Sequence, residues 1–569
     1  MTMMKAEEFR RQPPAPLSSR PISLPTPHEF KLPNGLSIVI VEDSRLPLVS
    51  FRLAFRFGDA HDPKALPGLC DMLAGLLTEG TESRSSREIA DEVARMGATL
   101  TAGASSDYST VAGSALSRFN DSILELIADV TRRPSFPENE VELVRQNSKE
   151  SLKQQRAQPS FLATEMVSRV MFGDHPYAVV APTPESIDAT TREALVSFHR
   201  HKFVPNNGVF LIVGDIDADK TVKRLEDLFG DWGRGEDLVT DFPAPPVRTA
   251  RTAYLIDRPG SAQSNIVIAN HGITRTNPDY FPLLLMHTVL GATASSRLFM
   301  NLREDKGYTY GAYSNLDARR TAGTFRSSAE VRTPVTGDSL KEFFYELNRI
   351  RDERVSQKEI ADAKSYLTGV FPIRLETQEG LIDQLVQIRM LGLPDDYLTT
   401  YRDRVQGVTI DQIQRVAQTY LQPDIAAVIV VGDGVQVLNQ IKRITETVEI
   451  YDTAGKRKAA PGPSQAATAG GIFGAWALEI ETPLGMSIPA TLTFTQSDSG
   501  AQAVIDSEMG RADLGSVNIS GNQFGASLAF DMDGQTMEGE ITGTFQGNEV
   551  QGSMSLKGFP PLTFKGHRE

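Results

Sequence analysis

The sequence predicts an α+β fold in which two similar α+β domains follow one another and a small antiparallel all-β barrel or sandwich closes the chain. An internal repeat is the first sign: VFLIVGDID (Val209 to Asp217) ends one unit and AAVIVVGDG (Ala426 to Gly434) ends another. Each is an apolar, β-branched run closing on Val-Gly-Asp, and a helix-like stretch with a Pro precedes it, FHRHKFVPNN and AQTYLQPDI. A repeat much longer than about 50 residues is a domain and not a solenoid unit. The second sign is the mixture of strand-like and helical periodicity within each unit. The third is an abrupt change of composition after Asp452.

In chain order, FKLPNGLSIVIVED and LVSFRLAFRFGD read as strands joined through a turn. Helices follow over Gly68 to Leu77, over Ser86 to Met96 with a Ser cap and Arg87 and Glu88 in the first turn, and over Asp121 to Arg132. Thr99 to Gly113, rich in Thr, Ser and Val, reads as a returning pair of strands. The second unit repeats the logic with NIVIANHGI, the helical YFPLLLMHTVLG, a Gly- and Ser-rich turn, and TFRSSAEV. DFPAPPVRT (Asp241 to Thr249) is a Pro-rich connector that favours extended backbone and suits either a hinge or an ordinary linker. AAPGPSQAATAGG (Ala459 to Gly471) is too poor in apolar residues to fold by itself. Beyond it, WALEIETPLG, IPATLTFTQSDSG, SVNISGNQFG, ASLAFDMDGQ, MEGEITGTFQGNEVQG and LTFKG are strand patterns about 8 to 12 residues apart with turn pairs between them. Trp476 reads as core there, and His567 lies at the frayed end. The expected organisation is an extension over 1–27, a first α+β domain over 28–240, the connector over 241–249, a second α+β domain over 250–452, a linker over 453–471 and a β domain over 472–569.

The chain has 569 residues, 40% hydrophobic and 23% charged, enough for several cores and far from the composition of a disordered chain. A formal net charge of −14 argues against a nucleic-acid partner. A single cysteine, Cys70, excludes an internal disulfide and a cysteine metal cluster, and its apolar neighbours make it a small buried hydrophobe. The first twenty residues hold no run of signal-peptide length, and no segment reaches the roughly 18 apolar residues that span a bilayer. The expected location is the cytoplasm.

GLCDMLAGLLTEGT (Gly68 to Thr81) resembles the active-site helix of the pitrilysin, insulysin and mitochondrial-processing-peptidase family, whose zinc members read G-x-x-H-x-x-E-H-x-x-x-x-G-T. The resemblance runs over roughly residues 28 to 450, through LPNGLSIVIVED, HPYAVVAPTPESIDATTREALVSFHRHKFVPNN, the Val-Gly-Asp ends and SSRLFMNLREDKGYTYGAYS (Ser295 to Ser314). It implies two homologous α+β domains forming half of a clamshell chamber. In that inverzincin class two His one helical turn apart hold zinc and the Glu between them activates water. Here Asp71, Ala74 and Gly75 stand at those three positions. Ala accepts no proton and Gly donates nothing to a metal, so the zinc motif is degenerate and no metal or cofactor is expected in this chain. The further Glu of the metal site corresponds to Glu150 or a near neighbour, read as a solvated helix residue; two carboxylates, Asp71 and Glu150, would make a poor zinc site.

Other histidines do not rescue the mechanism. His199 and His201, two apart on a helix, point about 200° apart, and His271 and His287 read as satisfied core or surface groups. Arg303 and Tyr310, with Gly307 between them in LREDKGYTY (Leu302 to Tyr310), resemble the family's Arg and Tyr pair, which implies a substrate contact: a guanidinium fork for a peptide carbonyl or carboxylate and a phenol for a developing oxyanion. Some relatives are two-chain enzymes in which one subunit keeps zinc and the other supplies this Arg and Tyr. The resemblance therefore implies a non-catalytic, substrate-binding subunit whose partner is a zinc-bearing relative and whose substrate is a peptide or unfolded polypeptide. The alternative is a structural or assembly scaffold of a larger complex with no part in proteolysis.

Overall fold

The computed structural model describes residues 24–458, 472–481, 487–497, 500–508, 510–520, 523–532, 535–556 and 561–568. Residues 1–23 of the expected extension and 459–471 of the expected linker lie outside the described residues. The chain forms two compact units, Met1–Lys458 and Ala459–Glu569.

The larger unit holds two α+β halves. The first half is built on six strands, β1 (His28–Lys31), β2 (Ser37–Glu42), β3 (Leu48–Phe55), β4 (Thr99–Ala104), β5 (Ser109–Leu116) and β6 (Gly208–Gly214), in the order β1-β2-β6-β3-β5-β4. The second has seven, β7 (Thr252–Asp257), β8 (Gln263–His271), β9 (Thr309–Ala318), β10 (Gly323–Arg332), β11 (Ala427–Gly432), β12 (Val448–Tyr451) and β13 (Arg457–Lys458), in the order β13-β12-β7-β11-β8-β10-β9. The repeated Val-Gly-Asp runs are β6 and β11, and every residue of both is buried. A strand covered on both faces reads as a continuous apolar run, which is why neither alternates.

The cover comes reciprocally from the two halves. Helix Pro159–Phe172 of the first half packs on β8 and β11, where Leu162, Met166, Val167 and Phe172 join Val267, Ala269, Ile429 and Val431 in one cluster. Helix Gln378–Leu391 of the second half packs on β3 and β6, with Ile382, Leu385 and Val386 against Val209, Leu211 and Val213. Each such buried aliphatic side chain stabilises the fold by about 1.5–3 kcal/mol, so the exchanged helices weld the halves together. The turn between β9 and β10 adds a polar latch: the Arg320 N–H donates to Asp107 Oδ2 at 3.0 Å, its Nη2 to the Arg56 carbonyl at 2.7 Å, and Tyr177 Oη to Asp107 Oδ1. Arg319 Nη1 reaches Ser106 Oγ at 3.0 Å. The connector is fastened too, with Phe242 against the His61 and His175 rings and Arg248 Nε donating to the Ile425 carbonyl at 2.8 Å.

Helix Ser86–Met96 is capped by Ser85 in a reciprocal capping box with Glu88, and Gly97 at φ 59° ends it. The helical stretch Tyr280–Asp305 is by length and composition apolar enough to cross a membrane, contrary to the expectation of no such segment; 56% of its most apolar window is buried inside this unit, so its apolar residues serve the core. Gly291 kinks it and a wide π turn over Met300–Asp305 ends it, a break that its periodicity did not announce.

The smaller unit is a closed antiparallel barrel of β14 (Gly474–Glu481), β15 (Ser487–Ser497), β16 (Gly500–Ser507), β17 (Gly510–Ser520), β18 (Gln523–Met532), β19 (Gln535–Gln546), β20 (Glu549–Leu556) and β21 (Leu562–Arg568), closed by pairing β14 with β21. It is a barrel and not a sandwich. Trp476, Leu492, Phe494, Phe524, Phe545 and Phe564 fill its interior, and Trp476 Nε1 donates to the Ile472 carbonyl at 2.9 Å. SVNISGNQFG divides between β17 and β18, and AQAVIDS, unmarked in the sequence, is β16. His567 is paired within β21 opposite Ala477 and Glu549, so it is not frayed.

Candidate functional site

The degenerate motif forms helix Leu69–Leu76, which packs on β4 and β5. Its entry is built for a sharp turn: Gly68 has φ 89°, and a Cβ there would lie 2.7 Å from Pro182. Asp62 caps the helix, accepting the Gly68 N–H at 2.7 Å and the Cys70 N–H at 2.9 Å. Leu69, Cys70, Leu73 and Leu76 point into the core, with Cys70 Sγ 3.2 Å from Ser109 Oγ. Burial raises the Cys70 thiol well above its ordinary range, leaving it a protonated, inert group.

The outward face carries two of the three altered positions, Asp71 and Gly75. Asp71 is open to water on one side and enclosed by protein on the others, and that enclosure raises its carboxyl. Beneath it Asp59 is pushed up to about 7 by burial and by the Asp71 charge, and Asp59 Oδ1 has no hydrogen-bond partner among the described residues. Ala74 is buried. At Gly75 a built Cβ meets nothing within 4 Å, so room for a side chain is present and no donor fills it. The Glu150 side chain, on helix Glu138–Arg156, is 70% exposed and lies 3.9 Å from Lys153. The family's zinc requires three or four nitrogen, sulfur or carboxylate donors around one point. One carboxylate, an alanine and a glycine do not fit that requirement, and among the described residues no three His, Cys, Asp or Glu gather as a metal site.

The other histidines are engaged individually: His199 with the Thr131 carbonyl at 2.8 Å, His201 with the Ser197 carbonyl at 2.6 Å, His271 with the Pro246 carbonyl at 2.9 Å and His287 with Ser314 Oγ at 2.7 Å.

The second half presents a contrasting surface. Arg303 lies in the π turn after Phe299, its guanidinium 4.7 Å above the Phe299 ring and its Nε 3.4 Å from Glu304 Oε1, with 46% of the side chain exposed. Gly307, at φ 63°, turns the chain into edge strand β9. Tyr310 is 89% exposed there. The buried Phe299 ring underlies the patch and the exposed Tyr313 extends it, their rings 5.6 Å apart, and the Tyr313 ring lies where a Cβ on Gly311 would come within 2.6 Å. A guanidinium held over an aromatic face is oriented at little entropic cost. Phe299 was not among the expected site residues, although its place four residues before Arg303 on a helix is the spacing that makes such pairs meet.

The family model described as Insulinase (Peptidase family M16) matches residues 37–183, and the one described as Peptidase M16 inactive domain matches residues 189–367, together more than half of the chain. An uncharacterized zinc protease of Streptomyces coelicolor is 25% identical over 395 residues, covering 68% of this chain and 86% of its own length. A protein of Helicobacter pylori named a non-peptidase homolog is 24% identical over 385 residues, covering 66% of this chain and 87% of its own. The crystal structure of a peptidase M16 inactive domain from Pseudomonas fluorescens superposes with a TM-score of 0.68 at 25% identity, covering 72% of this chain and 98% of that one.

Proposed function

This chain belongs to the M16 peptidase family, and we propose that within it the chain is the non-catalytic, substrate-binding subunit of a heteromeric zinc peptidase. The observation that carries this reading is the asymmetry of the two halves. The motif helix has its turn, its cap and an open space at Gly75 but only the Asp71 carboxylate where three donors are needed, while Arg303 stands exposed in the turn before edge strand β9 and Tyr310 at its start. A zinc-bearing M16 partner would hold the metal. From this chain, the Arg303 fork would bind a carbonyl or carboxylate of the extended peptide, and the Tyr310 phenol would donate to the oxygen that gains charge. The chain's own contribution is binding and orientation.

The test is reconstitution. The purified full chain, alone, should cleave no peptide; adding a zinc-bearing M16 subunit should produce cleavage, and Arg303→Ala should slow that cleavage without preventing assembly. Chelator-sensitive cleavage by the chain alone defeats the proposal. A second reading, an assembly scaffold, draws support from the name of the Helicobacter pylori relative. Under it Arg303→Ala changes nothing.

A further inference from the structure

Strand β9 holds one residue more than β10 can match. Val331 and Ala329 stand opposite Thr309 and Ala312, so Tyr310 and Gly311 together face Glu330 alone. That is a β-bulge, in which the extra residue leaves the ladder and the side chains beside it are re-aimed. In a regular strand, residues three apart point to opposite faces. Here Val331 and Ala329 are buried on one face of β10, Thr309 and Ala312 follow them to it, and Tyr310 and Tyr313 are left exposed on the other.

One hydroxyl pins the bulge. Thr309 Oγ1 accepts the Gly311 N–H at 3.1 Å and donates to the Gly311 carbonyl at 3.0 Å. Backbone groups that leave a ladder need partners elsewhere, and a single side chain serves both. The lack of a side chain at Gly311 then matters: the Tyr313 ring lies back across the strand there, within 2.6 Å of where a Cβ would stand and with its hydroxyl 3.2 Å from that point. The Tyr313 phenol is thus brought beside residue 310. Behind it the ring rests on Phe299 at 5.6 Å, which also carries the Arg303 guanidinium at 4.7 Å. The Tyr313 hydroxyl has no hydrogen-bond partner among the described residues, and 45% of the residue is exposed.

We propose that Tyr313 is a further substrate-contacting residue, whose hydroxyl donates to a carbonyl of the extended peptide beside the one addressed by Arg303 and Tyr310, and that Thr309 is the positioning residue that holds both phenols on one side of β9. The proposal rests on the reading of the chain as a substrate-binding subunit and deepens it. A guanidinium and two phenols are three groups able to donate, which suits the carbonyl row of a backbone and no one side chain. What is recognised is therefore extended peptide and not a sequence. A ring already packed on one side gives up little freedom when the peptide arrives. Without the Thr309 hydroxyl the Gly311 N–H and carbonyl lose that partner, and the two phenols lose their common aim.

The test is fluorescence anisotropy of the full chain with a labelled, uncharged decapeptide, followed by kinetics of the complex with a zinc-bearing M16 subunit. The peptide should bind the parent saturably. Tyr313→Phe, which keeps the ring and removes the hydroxyl, should weaken it at least about threefold, the scale of one hydrogen bond. Thr309→Val, equal in shape, should do the same, and Thr309→Ser should retain the parent affinity; a residue that only filled space would give the opposite order, since Ser is the smaller. In the complex Tyr313→Phe should raise KM with kcat unchanged, whereas Thr309→Val should also lower kcat through Tyr310. Absence of saturable binding, parent affinity in Tyr313→Phe, or a Thr309→Val variant as good as Thr309→Ser overturns the proposal. The binding arm needs no partner: binding that behaves as stated without cleavage in the complex counts against the subunit reading alone, and cleavage with parent affinity in Tyr313→Phe counts against this proposal alone.

Discussion

The two α+β halves share a topology but have parted in chemistry. In the first, everything that shapes the backbone around the motif helix is present: Gly68 in its left-handed turn, Asp62 on the first N–H groups, the apolar face in the core. The side chains that would act are missing. In the second, the backbone is irregular, with a kink at Gly291 and a π turn, yet Arg303 and Tyr310 stand outward and available. A frame is set by packing and backbone geometry and survives the loss of its outward residues, because those residues contribute little to folding.

That contrast can be broken most sharply by refilling the first half. The combined change Asp71→His, Ala74→Glu and Gly75→His should raise zinc affinity by at least about tenfold, read as metal retained after dialysis against a weak chelator. Gly75 accepts a side chain without a clash, and leaving Gly gains up to about 0.5 kcal/mol of helix propensity. If the triple variant folds and binds no more zinc than the parent, the frame is not what it is taken to be here. The contrast is sharpened next from the other half. Arg303→Ala should cut turnover of a reconstituted complex by about 10²- to 10³-fold, by analogy with loss of an oxyanion donor. Its effect on urea unfolding should stay within about 0.5 kcal/mol, as for other exposed positions.

A third change concerns the latch between the halves. Asp107→Ala strands the Tyr177 hydroxyl and the Arg320 N–H in a buried setting, and should cost about 2–4 kcal/mol in urea unfolding. A loss below about 0.5 kcal/mol would mean that the exchanged helices alone hold the halves.

The smallest expected effect is with pH. Burial pushes His199 and His287 down to about 4, and burial together with the Lys202 and Arg320 charges does the same to His61, against an ordinary value of 6.5. At these three histidines the unfolded chain binds more protons than the folded one below 6.5, so their contribution falls as pH drops from there toward 4; Asp59 and Asp62, which burial raises to about 7, bind protons in the folded chain first and offset part of that fall. Although burial opposes it, Glu359 is held down to about 2 by the Arg297 fork at 2.7 and 3.2 Å and the Ser356 N–H at 2.7 Å. Its contribution is present above 4.5 and is lost in turn as pH falls toward 2. Between about pH 6 and about pH 5 the urea midpoint of His287→Gln should fall less than that of the parent; an equal fall in both would contradict the His287 assignment.

Much of this was legible in the sequence where the signal is local. β6 and β11 announced themselves as paired apolar runs, and the empty motif was readable at Asp71, Ala74 and Gly75 because a missing side chain needs no structure to be seen. Helix exchange was not legible: helix Pro159–Phe172 meets β8 and β11, and helix Gln378–Leu391 meets β3 and β6, across separations that leave no periodic trace in the chain. Alternation predicted the barrel's strands but not its closure, which depends on β14 finding β21 nearly a hundred residues away.

The exchanged helices have a practical corollary for the connector 241–249, whose Val247 is 87% exposed and open to a protease. Severing the chain there would break a covalent bond that the assembled halves no longer rely on, and the fragments should migrate together until a denaturant parts them. The same reasoning allows the two halves to be supplied as separate polypeptides and to recognise each other in solution, each bringing the helix that covers its counterpart's sheet.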